Sequence, residues 1–153
     1  MSLTYKKLEE VIISGREKGY FFISKDESEI IYRGSQRKFG FKNDKEKRRA
    51  YLLVELIEKY HYPEKQIQID AGIKIGKDII NADLLIYQNR LPYIVIDIIS
   101  NATDKIDQNI AKLSQKALVL KVRYAVLVSS EGKTIIDLVS PKTKINDIPA
   151  ADQ

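Results

Sequence analysis

Cysteine is absent from this chain of 153 residues, and histidine occurs only once, as His61. A disulfide framework and a thiolate zinc site are therefore excluded, as is a metal site built from several histidines. Any metal ion has to be held by oxygen ligands, which favours hard cations such as Mg²⁺ or Mn²⁺. The sequence shows no N-terminal apolar segment with a cleavage site and no apolar run as long as a membrane span. We therefore expect a cytoplasmic protein without a membrane partner.

The chain length corresponds to one domain with a single sizeable core. We expect an N-terminal extension over residues 1–41 that packs on the core, a core domain over residues 42–140, and a tail or linker over residues 141–153. The formal charge of +5 comes from lysine and arginine scattered among acids, with one dense basic run, KNDKEKRR, at residues 42–49. Such a run is either a solvated helix face or a binding site for a polyanion.

Two amphipathic helices are predicted on either side of a central group of strands. The first is capped by Asn43 or Asp44 and runs to about Tyr60. The second is capped by Thr103 or Asp104, and its apolar residues recur at spacings of three and four. A further helix and an irregular strand are expected in the first forty residues. From the first amphipathic helix onward, the predicted order is helix, three strands, helix, two strands.

The stretch NADLLIYQNRLPYIVIDIIS, residues 81–100, predicts two strands joined by a turn near Arg90. Each strand carries one aspartate. If the register is symmetric about Arg90, Asp83 lies opposite Asp97 on the same face. Like charges placed in this way are destabilising, and a carboxylate inside a buried apolar strand needs a partner. Either the two aspartates bind a cation together, or they are strand-end carboxylates capped by neighbouring amides.

This order of elements, with one acid on the first helix and one on each strand of the hairpin, resembles the PD-(D/E)xK nuclease superfamily. More closely, residues 44–132 resemble the N-terminal nuclease domain of type I restriction enzyme R subunits and its stand-alone relatives. The resemblance is carried by DKEKRRAYLLVELIEKYHYP, ADLLIY, IVIDIIS and YAVLVSSEG. It implies an α/β, restriction-endonuclease-like fold, in which a mixed β-sheet in an αβββαβ core is flanked by helices.

The resemblance also implies a function and assigns residues to it. It implies a DNA endonuclease that hydrolyses phosphodiester bonds with Mg²⁺ or Mn²⁺, and other subunits of a restriction-modification complex as partners. Glu46 matches the helix glutamate, Asp83 the first strand acid, and Asp97 the first position of the E-x-K triplet. Ile99 stands where the catalytic lysine is expected. This degraded motif implies a weak nuclease or, alternatively, a catalytically inactive nucleic-acid-binding or assembly domain of a restriction-modification system.

The second amphipathic helix offers candidates for the missing lysine. Gln108 matches a glutamine of the family pattern, and Lys112, one turn later on the same helix face, is the preferred substitute. Lys105 is a second candidate. Each assignment has a structural alternative, since Lys112 and Gln108 are also explained as solvated helix residues. Glu46 is also explained as a first-turn acid favoured by the helix dipole.

The basic run supplies the candidate nucleic-acid-binding residues. Lys45, Arg48 and Arg49 begin the same helix that carries Glu46. We therefore expect these three side chains to bind DNA beside the acids, with an affinity that falls steeply with salt.

Overall fold

The computed structural model describes residues 5–100, 106–140 and 145–151. The described chain begins with helix α1 (Tyr5–Glu17), which is followed by a three-stranded antiparallel sheet. Its strands are β1 (Phe21–Ile23), β2 (Glu29–Tyr32) and β3 (Lys38–Gly40). One irregular strand was expected here, and three are found because Ser24 and Asp26 accept hydrogen bonds from the Ser28 amide and close a turn between β1 and β2.

Helix α2 (Asp44–Glu58) is the helix predicted at the start of the core. Asn43 caps it, since its Oδ1 accepts a hydrogen bond from the Glu46 amide at 2.8 Å and satisfies one of the free first-turn donors. Two sides of α2 are buried. One side packs against the N-terminal extension, and the other packs through Leu52 and Leu56 on the main sheet.

Five strands form the main sheet, in the order β4, β5, β6, β7, β8. They are β4 (Ile67–Ile75), β5 (Asp78–Gln88), β6 (Leu91–Ile98), β7 (Tyr124–Ser129) and β8 (Gly132–Asp137). Strands β6 and β7 are parallel, and the other neighbours are antiparallel. Helix α3 (Ile106–Leu120) lies in the crossover that this parallel pair requires. The predicted αβββαβ order and mixed, helix-flanked sheet are confirmed, while the proposed α3 caps, Thr103 and Asp104, lie outside the described residues.

The two long helices cover opposite faces of the main sheet. Helix α2 covers one face, where Leu52 and Leu56 pack with Ile96. Helix α3 covers the other face, where Leu113 packs with Val95. Nowhere in the described ranges is a helix both long and apolar enough to cross a membrane.

Of the expected tail or linker over residues 141–153, the structure describes residues 145–151. Ile148 is only 4% exposed and lies in the apolar cluster between α2 and the main sheet. The Tyr62 hydroxyl donates a hydrogen bond to the carbonyl oxygen of Pro149 at 2.5 Å. Residues 145–151 therefore pack on the core, because the apolar side chain of Ile148 is buried between α2 and the main sheet.

Replacing Ile148 by alanine should lower the free energy of unfolding by about 2 kcal/mol, because the change removes buried apolar volume near a chain end that can partly relax. Urea denaturation of the purified protein measures this change. The matched control is Val139→Ala, since Val139 is 67% exposed and its truncation should change stability by less than about 0.5 kcal/mol. Equal, small effects of both substitutions would show that the end of the chain contributes nothing to the core.

Candidate active site at a fork in the sheet

The hairpin of β5 and β6 sets the position of the two aspartates. Its turn consists of Asn89 and Arg90, both with positive φ (52° and 66°), which is typical of a type I′ turn. A bulge further along shifts the pairing by one residue, so that Leu84 faces Ile96, as symmetry about Arg90 predicts. The regular ladder ends at this pair. We call the region just beyond it the fork.

Asp83 and Asp97 lie at the fork, one on each strand, and their carboxylates bond across it. Asp83 Oδ2 accepts a hydrogen bond from the Ile98 amide at 2.7 Å. Asp97 Oδ1 accepts one from the Asp83 amide at 3.4 Å. These bonds take the place of ladder hydrogen bonds where regular pairing stops. The side chains are largely buried, with exposed fractions of 14% for Asp83 and 20% for Asp97.

Cations from two helices reach the two carboxylates. Lys45 of α2 places Nζ 3.1 Å from Asp83 Oδ1, and Arg49 of α2 places Nη1 3.9 Å from the same oxygen. Lys116 of α3 places Nζ 2.6 Å from Asp97 Oδ2. Because α2 and α3 cover opposite faces of the sheet, the two acids are neutralised from opposite sides. The sequence predicts both on one face, and the structure differs because side-chain alternation is interrupted on β5 at Asp83, where Ala82 and Leu85, three residues apart, both lie in the cluster under α3.

The lysine beside Asp97 is Lys116 and not the expected Lys112. Lys112 and Gln108 are exposed on α3, whereas Lys116 is partly buried. The other sequence candidate, Lys105, lies outside the described residues. Lys116 is one helical turn beyond Lys112 on the same face, so the spacing could have suggested it. Lys116 reaches Asp97 because it lies closer to the sheet than Lys112 does. The sequence alone does not show this difference.

Glu46 lies in a buried ion pair with Arg49. Arg49 donates from Nε to Glu46 Oε2 at 2.9 Å and from Nη2 to Oε1 at 2.7 Å. The Tyr32 hydroxyl donates to Glu46 Oε2 at 2.6 Å, and burial, followed by the nearby carboxylate, raises the pKa of this hydroxyl well above its usual value. Burial lowers the pKa of Arg49, but its hydrogen bonds to Glu46 outweigh this effect and raise the pKa overall. Both oxygens of Glu46 are thus engaged within the protein.

Most of the chain, including the main sheet, matches a known protein family. Residues 44–150 match the family model described as the type I restriction enzyme R protein N terminus. The chain belongs to this family. No curated protein matches the chain. The matched segment includes α2, the main sheet and α3, so it contains Asp83, Asp97 and Lys116. Family and fold together indicate a nuclease-like domain.

In this R protein N terminus, local packing explains why Ile99 stands at the position of the motif lysine. The Ile99 amide donates to the carbonyl oxygen of Val128 at 2.9 Å, and the Ile99 side chain packs against the apolar cluster under α3. Residues two apart on a strand point to the same side, so Ile99 and Asp97 both belong to the α3 side. That is the side from which Lys116 reaches Asp97. The ammonium group near this acid comes from the helix and not from the strand.

The three basic residues expected to bind DNA lie in different environments. Arg49 is buried, and its Nη1 also donates to the Asp83 carbonyl oxygen at 3.5 Å. Arg48 has a side chain only 14% exposed, with Nη2 3.3 Å from Asp44 Oδ2. Lys45 is about half exposed. Arg49 is only 5% exposed and lies close to Glu46, Asp70 and Asp83, a position that suits the neutralisation of these acids. DNA binding by the three basic residues stays a prediction.

Asp70 of β4 is a site residue that the sequence reasoning missed. Its neighbours on β4 pair with the neighbours of Asp83 on β5, so Asp70 lies beside Asp83. Its φ of 52° is a left-handed conformation that non-glycine residues rarely adopt. Arg37 places Nη1 2.7 Å from Asp70 Oδ2, and Arg49 places Nη1 4.0 Å from Oδ1. Aspartate is disfavoured inside strands, and this signal, which singled out Asp97, could have found Asp70 as well.

The carboxylates of Asp83 and Asp97 are a suitable donor set for a hard divalent cation. Mg²⁺ is usually held by one or two carboxylates, with water and substrate phosphates in the other positions. Glu46 does not join them, since Arg49 and Tyr32 occupy its oxygens. Over the ranges that the structure describes, no three acidic or histidine side chains are grouped closely enough to hold a metal. The candidate metal ligands are therefore two and not the expected three.

Proposed function

We propose that this domain is a metal-dependent DNA endonuclease domain, in which Asp83 and Asp97 hold Mg²⁺ or Mn²⁺ and Lys116 acts in place of the motif lysine. The observation that carries the proposal is the 2.6 Å contact between Lys116 Nζ and Asp97 Oδ2. It restores an ammonium group at the acid where the sequence motif has lost one. Membership of the type I restriction enzyme R protein family supports DNA as the substrate and other subunits of a restriction-modification complex as partners.

The residues at the fork have distinct parts in this proposal. The bound ion supplies charge neutralisation at the attacked phosphate and makes nearby water more acidic. Asp83 and Asp97 are held in place by their hydrogen bonds across the fork. Lys116 can donate a hydrogen bond to a water molecule or a phosphate oxygen beside Asp97. Lys45, which is half exposed, adds positive charge where a phosphate would approach Asp83.

Protein cations at both carboxylates predict weak metal binding. A divalent ion has to compete with Lys45 for Asp83 and with Lys116 for Asp97. Mn²⁺ binds nitrogen and oxygen sites less tightly than later transition metals, but it suits carboxylate sites and tolerates imperfect ones better than Mg²⁺, which demands near-ideal octahedral geometry. We therefore expect more cleavage with Mn²⁺ than with Mg²⁺.

Metal binding and DNA cleavage together test the proposal. The purified protein should bind Mn²⁺ in a calorimetric titration and nick supercoiled plasmid DNA when Mn²⁺ is added. Asp83→Asn should weaken Mn²⁺ binding at least about tenfold, because it removes one of two charged ligands. Asp107→Asn is the matched control, since Asp107 is exposed in the first turn of α3, and it should leave both measurements unchanged.

A second function is favoured by a specific set of observations. Ile99 occupies the motif lysine position, Glu46 is bound to Arg49, and protein cations already neutralise both aspartates. These features suit a catalytically inactive domain that binds nucleic acid or assembles a restriction-modification complex. A folded protein that binds DNA, takes up no Mn²⁺ and cuts nothing would establish this function and exclude the endonuclease.

A further inference from the structure

The β4–β5 hairpin extends beyond the fork as a two-stranded arm, which we define as residues 71–82. Strands β4 and β5 stay paired up to Ile75 and Asp78. Strand β6, in contrast, pairs with β5 only as far as Leu84. The arm contains five residue pairs. At about 3.3 Å per residue, the six residues from Leu84 to Asp78 carry its tip roughly 20 Å past the last pair of β5 and β6.

One face of the arm is covered and the other is bare. Ile73 and Ile80 pack against the apolar cluster under α3, which holds the arm in a fixed orientation. The opposite face carries four exposed residues, which are Gly72, Lys74, Ile79 and Asn81. Since α3 covers one face of the main sheet and α2 the other, this bare face is on the α2 side. It therefore continues from the side on which Lys45 meets Asp83.

The bare face and the tip of the arm combine positive charge with an apolar side chain. Lys74 and Lys77 are exposed, and neither forms an ion pair with any residue in the described part of the chain. Asp78 is the only acid in the arm. Ile79, directly opposite Lys74, is 65% exposed. An exposed strand edge with an apolar side chain is a pairing hazard for a free monomer, and a bound partner would remove this hazard.

We propose that this arm binds the DNA duplex beside the fork, with Lys74 and Lys77 on phosphates and Ile79 against the groove. The proposal rests on the proposed function, since it names where that substrate lies. A two-stranded β-ribbon fits the DNA major groove, and lysine is a phosphate-contacting residue. The arm adjoins Asp83, so a duplex along its bare face passes over the fork. Arg49 is buried and the Arg48 side chain is only 14% exposed, whereas the arm lysines and the half-exposed Lys45 are accessible to phosphates.

The test compares the removal of two charges on the arm with the same removal elsewhere. The arm variant is Lys74→Gln with Lys77→Gln. The control variant is Lys65→Gln with Lys121→Gln, because both control lysines are exposed and lie at the end of the main sheet away from the fork. Binding to a 20-base-pair duplex is measured by fluorescence anisotropy in EDTA at several salt concentrations, which keeps binding separate from cleavage.

The arm variant should bind at least tenfold more weakly at low salt, and its plot of log K against log salt should be flatter by about 0.9 per lost phosphate contact. The control variant should match the parent. If the parent binds DNA and the arm and control variants bind equally, the arm is not the contact surface, and the proposed function still stands. A parent that neither binds nor cuts DNA removes the proposed function and this inference together. A parent dimer that Ile79→Asp converts to a monomer would show that the arm pairs with a second copy, which overturns the inference.

Discussion

Replacing Lys116 by alanine should lower the rate of Mn²⁺-dependent DNA cleavage by about 10²-fold. A positioned acid or base group contributes on this order to a rate, and Lys116 Nζ is 2.6 Å from Asp97 Oδ2. Single-turnover nicking of supercoiled plasmid measures the rate. DNA affinity, measured separately in EDTA, should change less than threefold, because one partly buried ammonium at the acid makes a small contribution to duplex binding.

Two further variants test whether the loss of cleavage rate is specific to Lys116. Lys112→Ala should leave the rate within about twofold of the parent, since Lys112 is exposed on α3. In the Lys116→Ala background, Ile99→Lys should restore part of the lost rate, because residue 99 belongs to the same side of the sheet as Asp97. A Lys112→Ala variant that loses activity while Lys116→Ala keeps it would return the role to Lys112.

Replacing Arg49 by methionine should lower the free energy of unfolding by about 3–5 kcal/mol, which is the usual cost of leaving one partner of a buried ion pair uncompensated. Arg49 is 5% exposed and donates two hydrogen bonds to Glu46. It also approaches Asp83 and Asp70. Urea denaturation, with the midpoint and slope both recorded, measures the loss.

The double variant Glu46→Gln with Arg49→Met should recover part of that stability, because the uncompensated buried charge is then absent. Lys45→Met is the matched control, since Lys45 also contacts Asp83 but is about half exposed. Its effect should stay within about 1 kcal/mol. If Arg49→Met and Lys45→Met destabilise the protein equally, the buried pair is not the stabilising element that its geometry indicates.

The parts of the fold that follow local rules could be predicted from the sequence. The capping of α2 by Asn43 depends on one side chain and the amide three residues on. The register that places Asp83 beside Asp97 depends on alternation within one hairpin. That register nevertheless results from two features that the sequence did not predict. One is the two-residue turn, and the other is the bulge that shifts the pairing by one residue and so brings it to the predicted register.

The features of the site and the core that depend on how deeply a side chain is buried, or on packing between elements distant in sequence, could not be predicted. Lys112 and Lys116 share a helix face, and only the distance of each from the sheet distinguishes them. Arg49 stands in a run of charges that is typical of a solvated helix face, yet both sides of α2 are covered. Ile148 lies in a segment of loose composition, and its burial depends on a site formed by α2 and the main sheet. Tertiary contacts decide all three cases.

Because Lys116 lies on helix α3 and not on a strand, the proposed activity depends on the position of this helix. In an E-x-K motif the acid and the lysine belong to one strand, so a single stretch of backbone fixes their separation. Here the separation depends on how α3 seats on the sheet, and the residue after Lys116 is the fully buried Ala117. A small outward shift of α3 would part the ammonium from the acid while the strands stay paired. Under the proposed function, heat or a larger side chain at position 117 should therefore abolish DNA cleavage before the domain unfolds.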